Sequence, residues 1–431
     1  MGPRAKPSTS EIVKSGIRRR YAAERRFRLY GILAVLFGLT FLVILFANII
    51  ARGYTSFLQS SFRLEVFLDP AVIDPSGARE ENTLLMADYG SLAAEALMKA
   101  LKLDPKSRPD ERAATGLLSQ NADTEIRNYV LRNPSEIGKS VSLWVLAHAN
   151  ADSVMKNAFD RTVPEARRKV SDRQLALLDR AKAEGILQLR FNTGLFTYGA
   201  SSQPETAGVG VALVGSFFMM MTVLLLAVPL GVMAAVYLQE FAGRNRLTDL
   251  IEVNINNLAA VPSIVFGILG LAIFINLFGL PRSASLVGGL VLALMTLPTV
   301  IIATRAAIGA VPPSIREAAL GVGASKMQAV THHVLPLAFP GILTGTIIGV
   351  AKALGETAPL LMIGMVAFVV EIPTTPLEPA TALPVQIYMW ATAAERGFVE
   401  RTSGATIVLL VFLAVMNLIA VILRRRFERR W

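Results

Sequence analysis

Three ionisable side chains stand in stretches that hydropathy assigns to hydrocarbon. Residues Ala351–Leu361 read AKALGETAPLL within an apolar run long enough to cross a bilayer. Lys352 and Glu356 are four apart, on one face of a continuous helix. Arg305 closes an earlier apolar run. A charge alone in lipid is costly, so these groups are expected to face the protein interior and pair. Pro359 cannot donate to the Gly355 carbonyl, which predicts a kink, and kinked backbone is tolerated where it lines a cavity. Two roles are open. A Lys352–Glu356 bridge would only lock helix packing. Alternatively, Arg305 and Lys352 attract an oxyanion, Glu356 tempers their grip so that the anion leaves, and Thr357 belongs to the same pathway. That chemistry is binding and release, with no covalent step.

Other reactive residue types offer less. There is no cysteine, which excludes disulfides and thiolate metal sites. His148, His332 and His333 have no partner at metal-ligand spacing and read as surface or interface residues, so no metal site is expected. Ile137–Ser140 (IGKS) ends like a phosphate loop, but Asn133 stands where the second glycine belongs and no strand precedes it. It is expected on a helix that follows a Ser135 cap. No catalytic residue and no nucleotide-hydrolysing site are expected on this chain.

The elements that must position the charged residues are membrane helices. Of 431 residues, 53% are hydrophobic and 17% charged. The net charge of +11 lies wholly in two short tails. Residues 1–29 hold nine Lys/Arg against two Glu, and 424–431 hold five Arg against one Glu. Basic tails flanking apolar runs predict both termini on the cytoplasmic side. A nucleic-acid partner would call for a basic face on a folded domain, and none is visible. Six spans are predicted: 30–50, read as a retained helix and not a signal peptide, then stretches within 207–237, 258–278, 284–304, 337–370 and 404–423. The turn holding Arg244 and Arg246 falls inside, and the loop 371–404 falls outside.

Residues 51–206 form a polar insertion, charge-neutral and long enough for its own core. Alternation predicts strands at Ser61–Leu68 and Ile186–Phe191, pairing with each other. Helices are predicted at Ser91–Leu103, Ser135–Ala149 and Glu165–Lys182. On topology this α+β domain is extracytoplasmic.

The longest motif is Ser314–Pro336, SIREAALGVGASKMQAVTHHVLP, within the loop 312–336. Pro312 and Pro313 stop the preceding span, and Ser314 with Glu317 forms a capping-box pattern. Gly321 and Gly323 end one short helix; Ala324–His333 forms a second, which Pro336 stops. By spacing alone this is an amphipathic linker with a capping glutamate. The order Glu317-Ala318-Ala319, then Gly323, then Leu335-Pro336 closely resembles the EAA loop of ABC importer permeases, with His333 where an aliphatic residue is usual. GETAPLL at Gly355–Leu361, NLAAVPSIVFG at Asn257–Gly267 and Thr304-Arg305-Ala306 resemble phosphate importer permeases of the PstA type. The resemblance covers 207 to the C-terminal tail. The segment 51–206 resembles an N-terminal extension found in a subset of these permeases.

The resemblance implies an all-α polytopic membrane protein with six transmembrane helices. They include a five-helix type I ABC permease domain at 207–423, with the α+β domain inserted before it. It implies that Arg316, Glu317, Ala318, Ala319, Gly323, Leu335 and Pro336 couple to a separate ATPase. The implied partners are a second homologous permease subunit, an ATPase subunit dimer, an extracytoplasmic phosphate-binding protein and membrane lipid. The chain itself binds no cofactor; ATP and Mg belong to the ATPase. The implied setting is the bacterial cytoplasmic (inner) membrane. The competing functions are an ABC permease for molybdate or sulfate, an ion-coupled secondary transporter, and a sensor. The last would need a sizeable cytoplasmic domain.

Overall fold

A computed structural model describes residues 9–104, 107–243 and 245–427. Arg244 and the outermost residues of both basic tails lie outside them. Helix α1 (Thr9–Gly53) contains the first expected span. Residues Met1–Arg52 form one unit and Gly53–Trp431 a second.

The inserted domain is a three-stranded antiparallel sheet under helices. Its strands are β1 (Leu58–Phe67), β2 (Ser140–Leu146) and β3 (Leu187–Phe191), in the order β2-β1-β3. The expected pairing of first and last strands is present, with Leu58 opposite Phe191 and Phe62 opposite Leu187. Alternation buries Phe62, Leu64 and Val66 of β1 and turns Arg63, Glu65 and Phe67 outward. The helices are α2 (Tyr89–Ala100), α3 (Arg108–Thr115), α4 (Ala122–Arg132) and α5 (Asp172–Ala183). Leu92, Leu97, Ile126 and Leu178 bring them onto the sheet. The helix expected over Ser135–Ala149 does not form. A short 3-10 turn at Pro134–Glu136 and a left-handed Gly138 (φ 93°) deliver the chain into β2. The alternation of SVSLWVL fits a pleat that pairs with β1. IGKS is therefore a strand entry, not a helix face.

Among the described residues five helices are long and apolar enough to cross a membrane, or six if one bent pair counts as a single span. The chain is an integral membrane protein. Helix α6 (Gly210–Val236) runs on as a π-helix to Phe241. The expected third span, within 258–278, holds helix α8 (Ser263–Leu277), and a further helix, α7 (Arg246–Ala259), precedes it at a bend of 101°. Pro262 explains the break, because its ring pushes Val261 out of helical geometry. Helix α9 (Ser285–Gly309) packs between α6 and the later helices. Next come α10 (Pro313–Gly321) and α11 (Lys326–Gly355), which contains a π-turn at Val330–Val334. The expected fifth span ends at Gly355, and a separate short helix α12 (Ala358–Met362) follows. Helix α13 (Leu383–Ala391) lies where a loop was expected, buried through Leu383, Val385 and Trp390. Helix α14 (Gly397–Phe427) contains the last span.

Glycines set the closest approaches. Gly341, Gly345 and Gly349 line one face of α11 against Ala307, Ala303 and Thr296 of α9. A Cβ added at Gly341 would stand 2.7 Å from the Ala307 Cβ. This small-residue seam lets two membrane helices touch backbone to backbone. The inserted domain is fastened to α14 by buried charges. Lys156 Nζ reaches Asp152 Oδ2 at 2.6 Å and Glu400 Oε1 at 2.8 Å, with the lysine side chain 3% exposed.

Candidate functional site

The loop 312–336 folds into a helical projection, though not by the expected cap. Helix α10 starts at Pro313 on a Pro312 N-cap, and no side chain caps it. The capping box falls one helix later, between Ser325 and Gln328 at the start of α11. Gly323 (φ 89°) ends α10 as expected, its N–H donating to the Leu320 carbonyl at 2.9 Å. Pro336 does not stop the next helix. The π-turn before it re-routes the backbone bonds, so α11 runs through the proline unbroken.

Arg316 anchors this projection from inside. Its Nη2 donates to Glu240 Oε1 at 2.7 Å and to the Ile308 carbonyl at 2.9 Å. Its Nη1 donates to the Val311 carbonyl at 2.7 Å. The Glu240 side chain is 8% exposed. One guanidinium thus ties α10 to the end of α6 and closes carbonyls at the end of α9 and just beyond it. Ala319 is buried with it, while Glu317 and Ala318 face outward. Around them Leu320, Val322 and Met327 are exposed at the tip, Val322 by 86%. Leu335 and Pro336 sit half-buried at the base. The tip is an apolar knob with one carboxylate beside it.

The second constellation is the break after α11. Glu356 is the residue that ends the helix, in an extended conformation (φ −79°, ψ 128°). Lys352 and Glu356 therefore do not share a helical face, and among the described residues no ion pair joins them. Pro359 makes no kink: it occupies the first turn of α12, where its missing N–H leaves no bond unmade. Its backbone packs instead on Gly267 of α8, where an added Cβ would lie 2.7 Å from the Pro359 Cα. The two segments Asn257–Gly267 and Gly355–Leu361 thus meet, each at its own helix break. Lys352 is exposed and Glu356 and Thr357 are half-buried.

Arg305 lies elsewhere. Its Nη2 donates to Glu252 Oε1 of α7 at 2.6 Å. Ala303 and Ala307 face Gly345 and Gly341, so Arg305 is level with the middle of α11. Glu356 is eleven residues beyond Gly345, roughly 16 Å further by helix rise. One carboxylate does not hold both cations, as had been expected of Glu356. His332 Nδ1 lies 3.1 Å from the Gln328 carbonyl, and His148 caps a helix by accepting from Asn150 N at 3.1 Å. Among the described residues no group of His, Cys, Asp or Glu is arranged to hold a metal.

Residues 227–431 match the family described as binding-protein-dependent transport system inner membrane component. Residues 14–165 match a domain of unknown function (DUF3333). Phosphate transport system permease protein PstA 1 of Mycobacterium tuberculosis is 34% identical over 232 residues, covering 54% of this chain and 75% of that protein. The chain belongs to the PstA family of ABC importer permeases. A probable ABC transporter permease of Bacillus subtilis, YqgI, is 32% identical to this permease over 249 residues, 55% of this chain and 83% of its own. The permease also aligns with the inward-facing MetNI methionine ABC transporter at 18% identity, over 52% of this chain and 95% of that one, with a TM-score of 0.41.

Several residues of the site have no counterpart in the sequence reading. Glu240 and Glu252, the partners of Arg316 and Arg305, are isolated carboxylates 76 and 53 positions away in sequence. The glycine seam was readable, since Gly341, Gly345 and Gly349 recur every fourth residue.

Proposed function

We propose that this permease moves inorganic phosphate inward as a transmembrane subunit of an ATP-driven importer in the bacterial cytoplasmic membrane. Both termini face the cytoplasm, as their basic tails favour. The inserted domain is then extracytoplasmic and the α10 tip cytoplasmic. The observation that carries this reading is the tip itself: Glu317 and Leu320 on α10, Val322 just past it and Met327 at the start of α11 are exposed, and Arg316 ties α10 to α6 and α9. An exposed apolar knob on a fixed base is suited to a partner's groove. That partner is an ATPase subunit dimer, which holds the ATP and Mg. Its movement passes through Arg316 and Glu240 to α6, and along α11 to the break at Glu356.

The anion pathway has two stations. Lys352, Glu356 and Thr357 form one at the break, and Arg305 with Glu252 forms the other nearer the cytoplasm. Each cation attracts phosphate, and a nearby carboxylate keeps that attraction weak enough for release. Lys352 is exposed in the single chain, and a charge at membrane depth needs cover. A second, homologous permease subunit supplies it, and an extracytoplasmic phosphate-binding protein delivers the anion. The phosphate assignment draws on the names of the relatives and on the segment GETAPLL. Uptake of labelled phosphate, sulfate and molybdate by phosphate-starved cells with and without the chain tests it. Loss of phosphate uptake alone is expected; loss of sulfate or molybdate uptake instead would replace the substrate.

A further inference from the structure

On the inserted domain, far in sequence from either station, α3 and α5 enclose an open cleft of about 410 Å³. Its polar lining is Arg108, Arg112, Arg173, Ser171 and Gln174, with no carboxylate among the lining residues. The domain as a whole is charge-neutral, so this concentration is local. Arg108 and Arg112 are four apart on α3, an arrangement of like charges that weakens a helix unless something neutralises it. Neither makes an ion pair among the described residues. Arg173 crosses from α5 and is fixed there, its Nε donating to Asp110 Oδ1 at 2.7 Å. Asp110 is buried beneath the cleft and balances one of the three cations. The cleft is of a size that binds small ligands.

We infer that this cleft is a binding site for a tetrahedral oxyanion such as inorganic phosphate. Guanidinium groups present paired N–H donors that match the oxygens of such an anion, and two guanidiniums one helical turn apart, without an ion pair among the described residues, can converge on one ligand. The Ser171 hydroxyl and Gln174 amide border the same space. The inference stands on the residues of the cleft and not on which solute the permease transports.

The test is arginine footprinting on the full chain in lipid nanodiscs, with phenylglyoxal and peptide mass spectrometry. Inorganic phosphate is the probe, and chloride at equal ionic strength controls for screening. At a phosphate concentration about ten times the dissociation constant, labelling of Arg108 and Arg112 is expected to slow by about tenfold. Labelling of the exposed Arg63 and Arg190 is expected to stay unchanged. In an Arg305→Gln variant the protection persists, because the site is separate from the pathway. In an Arg108→Gln/Arg112→Gln double variant, binding of labelled phosphate measured on an Arg305→Gln/Lys352→Gln background is expected to fall at least about tenfold. Equal protection by chloride, uniform slowing at all arginines, or binding untouched by the double substitution would overturn the inference. So would protection by an acidic protein but not by phosphate.

Discussion

Glu125 shows how burial sets the chemistry of a single residue here. It lies on α4, where its Oε2 accepts the Leu146 N–H at 3.0 Å. Burial raises its carboxyl from the ordinary 4.5 to about 7, against the opposing pull of that hydrogen bond and of Arg190. Between those two values the folded chain holds a proton that the unfolded chain has released. Stability therefore falls as pH rises through that window and is level above it, by about 3 kcal/mol in all. Glu125→Gln keeps an acceptor for Leu146 and removes the charge. The variant is expected to lose the slope and to be the more stable form above the window, by thermal unfolding of the purified chain. An unchanged slope would contradict this. Such environments are hard to read from sequence. Arg305, Lys352 and Glu356 were visible because charges are rare in apolar runs. The partners of Arg305 and Arg316 were not, because Glu252 and Glu240 reach them only through the fold.

At the scale of elements, local pattern carried far where it had one interpretation. The alternation of β1 and β3 revealed both strands and their pairing, and apolar length located the spans. It failed at three kinds of place. The run SVSLWVL is short enough to suit helix or strand, and pairing with β1 decides. Prolines were expected to stop or kink helices at Pro336 and Pro359, yet a π-turn accommodates one and a first-turn position the other. A helix end at Gly355 has no strong local signal. The glycine seam between α9 and α11 is where an element-scale test bites. A side chain at Gly345 collides with the Ala303 Cβ, whereas Gly355 faces open space. Gly345→Leu is expected to lower stability by at least about 1–3 kcal/mol through overpacking. Gly355→Ala should leave the melting midpoint near that of the parent. Equal midpoints for parent and Gly345→Leu in detergent would show that the seam does not hold the helices.

At the scale of the whole molecule, the surface is as informative as the core. Leu247, Leu250 and Val253 of α7 are exposed, as are Lys352 and the α10 tip. These are the faces that the proposed second permease and ATPase cover, and a single sequence does not say what lies against them. The family resemblance supplied that expectation. Glu317 makes no hydrogen bond or ion pair among the described residues, so Glu317→Ala is expected to change stability by no more than about 0.5 kcal/mol. The same variant should lose stimulation of the ATPase, read as phosphate release by the assembled complex. Full stimulation in Glu317→Ala would remove the tip from the coupling path.

The most direct measurement is labelled phosphate uptake into proteoliposomes holding this permease with its partner subunits and binding protein. Uptake is expected to need ATP, to continue when ion gradients are collapsed, and to fall in Glu356→Gln while the ATPase still co-purifies. Uptake driven by an ion gradient without ATP, or undiminished in Glu356→Gln, would contradict an ATP-driven pathway through the break after α11.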